Sequence, residues 1–221
     1  MGSHGQAMGT SAKTSREPPR LTLVTPPLGD AGAIADALAD ALNAADIAAV
    51  LVRFEDGDEA ALAERIERLR ILIQSNGAAL LLDGHAELVA RAQADGAHLS
   101  GIDAFKAAAP ALKPTYIAGC GALASRHDAM LAAEAGADYV MFGEPDRDGR
   151  RPRFEAVLER VTWWAEVLTV PCVAYAESRA EAEALAAAGA DFVAIGAPLW
   201  REAGEIAQAI AVAPRLAEPV R

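Results

Sequence analysis

With 221 residues, 52% of them hydrophobic, and a formal charge of −11, the chain has material for one sizeable core, and its acidity argues against a nucleic-acid partner, whose phosphate backbone needs a basic face to neutralise it. The same acidity argues against a cationic membrane patch, and no uncharged apolar run reaches the roughly 18 residues of a membrane span. Two cysteines, Cys120 and Cys172, lack metal or redox spacing and read as buried thiols of a reducing cytosol, so a cytoplasmic location is expected.

Residues 1–20, MGSHGQAMGTSAKTSREPPR, are polar and lack the apolar core of a signal peptide; they read as a disordered leader, leaving 21–221 as one domain. From there apolar runs predict strands over 21–25, 48–52, 79–83, 97–100, 115–120, 138–143, 171–176 and 191–196. Most are continuous rather than alternating, as in strands covered on both faces. Between them, Leu62, Ile66, Leu69 and Ile73 share one face of a helix over 59–75. Phe154, Val157, Leu158, Val161, Ala165 and Leu168 share another. Ser125 followed by Asp128 has the pattern of a helix start in which hydroxyl and acid satisfy first-turn amides. Gly136 and Gly189 sit where a helix ends in a left-handed residue, each within an AGAD motif, the second 53 residues after the first. Eight strands alternating with eight helices, the last over 200–212, predict an α/β fold of the single (β/α)8 barrel type. A doubly wound open sheet is the competing arrangement, but VTPPLGDAGAI after the first strand lacks the GxGxxG spacing of its nucleotide site.

In a barrel the chemistry gathers at the C-terminal strand ends. These carry Arg53 and Glu55, Asp83 and His85, Asp103, Cys120 and Gly121, the stretch from Glu144 to Arg153, Glu177, and Gly196–Ala197. Asp83 and Asp103 each suit a metal ligand or a helix cap. His98 reads as structural, and His127 as a first-turn ring facing a ligand or solvent. The run DRDGRRPR is either a solvated loop or an anion site built on Arg150, Arg151 and Arg153. Trp163 and Trp164 divide between core and subunit contact, so a homo-oligomer is a further expectation.

The segments ALLLDGHAELVARAQADGAHLSGID, GADYVMFGEP and VPCVAYA with AGADFVAIGAPL resemble, in that order, the thiamine phosphate synthase family. That family has GVHLGxxD on strand 4, GADYxxFGP on strand 6 and a closing AGADGVAVxSAI. The resemblance implies a barrel that joins hydroxymethylpyrimidine pyrophosphate to a thiazole phosphate through an ionised pyrimidine cation, releasing pyrophosphate. It also implies cationic side chains and a magnesium ion held by two aspartates at the leaving group.

Residue by residue, the family's Gln-x-Arg-x-Lys falls on Leu51, Arg53 and Glu55, so Arg53 matches. Its Asn-Asp-Arg falls on Asp83-Gly84-His85, which makes Asp83 a displaced metal ligand, while Asp103 matches the second metal aspartate. A pyrophosphate-contacting serine falls on Gly121. The lysine of the strand 6 loop falls on Arg151, beside Arg150, and the Gly-Gly after strand 7 on Ala176-Glu177. The phosphate-binding Val-Ser falls on Gly196-Ala197, where amides at a helix start receive a phosphate. A phosphorylated small molecule is thus the implied partner. Two further readings stay open: a thiazole phosphate tautomerase using His127 or His85, and a non-catalytic protein that binds a phosphorylated ligand on Gly196–Ala197 and Arg151.

Overall fold

The computed structural model describes residues 18–200 apart from 56, 58 and 147. Eight parallel strands close into a barrel in chain order, with β8 returning to β1. They are β1 (Arg20–Leu28), β2 (Ile47–Phe54), β3 (Ala79–Asp83), β4 (Gly96–Ser100), β5 (Ile117–Gly121), β6 (Tyr139–Phe142), β7 (Cys172–Ala176) and β8 (Phe192–Ile195). Among the described residues six α-helices cover the outside: α1 (Gly32–Ala44), α2 (Glu59–Ser75), α3 (Ile102–Leu112), α4 (Arg126–Glu134), α5 (Phe154–Val167) and α6 (Arg179–Ala187). The expected helix between β3 and β4 is only a short 3-10 turn, Ala86–Leu88. Gly84 and Gln93, both at positive φ, confine that connection. Of the helix expected over 200–212 and the leader expected over 1–20, residues 201–212 and 1–17 lie outside the described residues; Trp200 closes a 3-10 turn, Ala197–Trp200, and Arg20 already opens β1.

The strands are apolar throughout because each face has a different apolar neighbour. Val24, Leu51, Leu81, Tyr139, Met141, Val173, Tyr175 and Ala194 point inward and fill the barrel. Their chain neighbours point outward onto the helices, where Ile66, Leu69 and Ile73 of α2 and Val157, Val161 and Trp164 of α5 are buried. Burial of such a side chain stabilises by about 1.5–3 kcal/mol.

Local chemistry sets the junctions. Ser125 and Asp128 close a reciprocal capping box at the start of α4, and Gly136 and Gly189 take φ of 90° and 95° after α4 and α6. The strands are also tied in pairs at their N-terminal ends. Asp46, just before β2, pairs with Arg20 of β1 at 3.1 Å. Asp95, before β4, accepts the Leu80 amide of β3 at 2.7 Å. Asp138 accepts Ala118 N and Asp191 accepts Cys172 N, both at 2.8 Å. The two AGAD motifs are the last two of these four ties.

Candidate functional site

The inward alternation carries polar groups to the barrel mouth. Leu51 and Leu81 face the interior, so Arg53 and Asp83, two residues further along β2 and β3, do the same. Arg53 Nε donates to Asp83 Oδ2 at 2.9 Å, with side chains only 16% and 23% exposed. The β1–β2 ladder shifts register between Val24 and Pro27, and the Thr25 hydroxyl accepts the Arg53 amide there at 3.0 Å. Arg53 is thereby fixed from its backbone and its side chain at once.

From the adjacent strand, where His98 of β4 is the register partner of Asp83, a polar chain runs through the interior. The His98 ring meets the Tyr139 hydroxyl at 2.9 Å through Nδ1 and Glu144 Oε1 at 3.2 Å through Nε2. Glu144 Oε1 also accepts the Ala122 amide. Burial disfavours a charged ring, but the Glu144 carboxylate and its hydrogen bond, helped by Asp83 and opposed by Arg53, raise the His98 pKa. Burial, with Glu144 and Asp83 adding, drives Tyr139 well above the usual phenol range. Gly121 makes room for this chain. Its inward Cβ position lies 1.9 Å from Glu144 Oε1 and 2.5 Å from His98 Nε2. The Glu144 side chain was expected at the mouth as one acid among several; it is instead 3% exposed. The signal for it is the conjunction of two departures from the resembled pattern, glycine for serine at 121 and glutamate for proline at 144.

Arg151 is a brace. Its guanidinium donates to Gly143 O at 2.7 Å and Tyr175 O at 2.8 Å. It also pairs with Glu181 at 2.9 Å and Glu177 at 3.4 Å. It therefore joins the β6 loop to β7 and α6. Neighbouring Arg150 is 75% exposed and pairs with Asp146 and Asp148 within its own loop. At the end of β8 the amides are engaged within the protein: Gly196 N donates to Ala176 O at 2.9 Å and Leu199 N to Gly196 O at 3.1 Å. Ala197 N donates to the Tyr175 hydroxyl at 3.1 Å. A phosphate at Gly196–Ala197 would have to displace one of these acceptors.

Two cavities adjoin across the β5 loop, residues Ala122–Ala124. The first, about 330 Å³, is walled by Met141, Glu144, Arg151 and Arg160. The second, about 280 Å³, is walled by Ser100, Asp103 and Asp128. Asp103 is exposed in the first turn of α3 and His127 is exposed in that of α4. The structure thus distributes the candidate residues over the mouth: Arg53 with Asp83, Arg151 with its two glutamates, Asp103 beside the β5 loop, and His127 on the outer rim. Among the described residues no three or more His, Cys, Asp or Glu side chains gather as a ready-made metal centre. Magnesium usually takes one or two carboxylates and completes its shell with water and substrate phosphate. Asp83 is already paired with Arg53, and Asp103 stands in the first turn of α3.

Comparison with known proteins places this geometry. The family model described as Thiamine monophosphate synthase matches residues 21–199. A thiamine-phosphate synthase of Rhodospirillum centenum is 40% identical over 195 residues, 87% of this chain and 94% of that protein. One of Hyphomonas neptunium is 37% identical over 86% of this chain and 90% of its own length. In solved structures, thiamine phosphate pyrophosphorylase of Pyrococcus furiosus superposes with a TM-score of 0.73 at 21% identity, covering 91% of this chain and 96% of that one. Orotidine 5'-phosphate decarboxylase of Pyrococcus horikoshii shares the fold at a TM-score of 0.62 and 14% identity, covering 88% and 99%. The match along nearly the whole barrel means that this chain belongs to the thiamine monophosphate synthase family.

Proposed function

We propose that the protein is a thiamine phosphate synthase, a transferase of thiamine biosynthesis. It joins hydroxymethylpyrimidine pyrophosphate to a thiazole phosphate. The carbon–oxygen bond to pyrophosphate breaks, a carbon–nitrogen bond to the thiazole forms, and pyrophosphate leaves. The observation that supports this most is the 40% identity, over 87% of this chain, to a protein of that name. Arg53, held by Asp83 at 2.9 Å, would face the pyrophosphate in this reading, since its planar fork suits phosphate oxygens. Asp103 and Asp83 would hold the magnesium ion, which when bound neutralises charge on the leaving group. A phosphorylated small molecule as partner and a cytoplasmic location go with this reading.

A second reading has its own observation. Both inward guanidiniums already face carboxylates, Arg53 with Asp83 and Arg151 with Glu177 and Glu181, which weakens the field available to a pyrophosphate. That favours a protein that binds a singly phosphorylated ligand, as a tautomerase using His127 or His85 or without turnover.

The test is incubation with both substrates, with and without magnesium, measuring thiamine phosphate and pyrophosphate together. Equal, magnesium-dependent release of both, reduced at least tenfold by Asp103→Asn, is the expected result. Binding of thiazole phosphate with neither product formed would overturn the synthase reading and leave the second.

A further inference from the structure

Asparagine occurs twice in the chain, at 43 and 76, and the two stand in contrasting places. Asn43 is exposed but lies within α1 and precedes Ala44. Asn76 is exposed just past Ser75, the last residue of α2, and precedes Gly77. Gly77 is also exposed, with φ of 79°, and a Cβ added to it would meet nothing within 4 Å. The peptide that follows Asn76 is thus open where a side chain would otherwise stand, and glycine lets it turn more widely than any other residue would. Asn76 caps α2: its Nδ2 donates to Leu72 O at 2.8 Å, while Gly77 N donates to Gln74 O at 3.0 Å and Ala78 N to Ile73 O at 3.3 Å. These donors answer the carbonyls that a helix end leaves over. The last turn carries no basic side chain to offset its negative end. The same turn steadies the base of the barrel, since Gln74 Nε2 donates to Gln93 O at 2.9 Å and to Asp95 Oδ2 at 3.0 Å, the oxygen that accepts the Leu80 amide.

We propose that Asn76 is a site of spontaneous deamidation, a covalent ageing step built into the end of α2. The Gly77 amide nitrogen, deprotonated by hydroxide, attacks Asn76 Cγ; the Cγ–Nδ2 bond breaks, Nδ2 leaves as ammonia, and a five-membered succinimide closes. Water then opens the ring at either carbonyl, which leaves aspartate or isoaspartate at 76 and needs no oxidant or cofactor. In the folded protein both reacting groups are held, Nδ2 on Leu72 O and Gly77 N on Gln74 O, so the reaction waits for the last turn to fray, a local opening far easier than unfolding. Its product keeps the turn frayed. A carboxylate cannot donate to Leu72 O and stands at the negative end of the helix, and isoaspartate also lengthens the backbone that leads into β3. The step lies at the far end of the barrel from the mouth and involves neither substrate nor turnover.

The test keeps the natural protein at mildly alkaline pH, folded and, in parallel, unfolded in guanidinium chloride, and follows both by peptide mapping with mass spectrometry. The peptide containing Asn76 is expected to gain the mass of an amide turned acid and to split into two isomers, about tenfold to about a hundredfold more slowly in the folded protein. The peptide containing Asn43 should stay unchanged in the folded protein over the same period. An intact Asn76 in folded protein kept a hundredfold longer than the unfolded chain needs for half conversion would overturn the proposal, as would conversion of Asn43 at the same rate. Equal rates in folded and unfolded protein would overturn the gating by the cap. In a folded Asn76→Asp variant, amide hydrogens of residues 72–78 should exchange faster than in the natural protein while those of β5 do not. Unchanged exchange there would overturn the claim that the product loosens the turn.

Discussion

Replacing Gly121 by alanine should cost far more than a methyl group normally does. The new Cβ would stand 1.9 Å from Glu144 Oε1 and 2.5 Å from His98 Nε2, well inside contact distance. The backbone has little room to yield, since the Gly121 carbonyl accepts the Gly101 amide at 2.8 Å. The methyl must therefore expel the carboxylate from its His98 and Ala122 partners. Breaking a buried pair of this kind costs about 3–5 kcal/mol, and that is the loss expected for Gly121→Ala. In a Glu144→Ala background the nearer obstacle is gone, so the same substitution should cost at least about 1–2 kcal/mol less, a coupling of the size found between contacting residues. Urea unfolding followed by tryptophan fluorescence reads this directly, because Trp164 is buried. A loss below about 1 kcal/mol, or the same loss in both backgrounds, would refute the reasoning. It would mean that the carboxylate swings into the adjoining cavity at little cost.

Three further outcomes are expected. Arg151→Lys, which keeps the charge but cannot span Gly143 O, Tyr175 O and Glu181 together, should lose about 2–3 kcal/mol of stability in urea unfolding. The folded His98 ring holds its proton more tightly than an unfolded histidine; its contribution to stability is full below the ordinary histidine pKa and fades as pH rises through the raised one. Urea midpoints measured from about pH 6 to about pH 9 should therefore fall with pH in the natural protein, and less so in His98→Gln. Burial, with Glu144 and Asp128 adding, pushes the Cys120 thiol up to about 12, so it should resist an aromatic disulfide reagent at mildly alkaline pH until the protein is unfolded.

Much of the barrel was legible because its signals are local. The apolar spacing of Leu62, Ile66, Leu69 and Ile73 needs only one turn of helix to be read, and these four side chains are all buried. The Ser125–Asp128 cap and the glycines at 136 and 189 likewise act within a few residues. The β3–β4 connection was misread because strand alternation suggested a helix there, whereas the chain between Gly84 and Gln93 turns too tightly for one. At the mouth the residue types were visible but their partners were not. Arg151 was read as facing a ligand, and its partner Glu181 lies 30 residues away on α6. Glu144 looked like one more surface acid, since its burial depends on His98, 46 residues earlier, and on the missing side chain at Gly121. Charge reads easily from sequence; the pairing that neutralises it is set by the closure of the barrel.

The four aspartate ties have a consequence for how the barrel can be divided. Each clasps an even-numbered strand to the odd one before it: Asp46, Asp95, Asp138 and Asp191. Among the described residues no such aspartate clasp joins β4 to β5 or β6 to β7 at the N-terminal ends, and β2 is tied to β3 at the opposite end instead, through Arg53 and Asp83. A chain severed between β4 and β5 gives two half-barrels, each with both of its clasps internal. Severed one strand later, between β5 and β6, it leaves Asp138 and the Ala118 amide on separate molecules, and that clasp has to be made anew each time the halves meet.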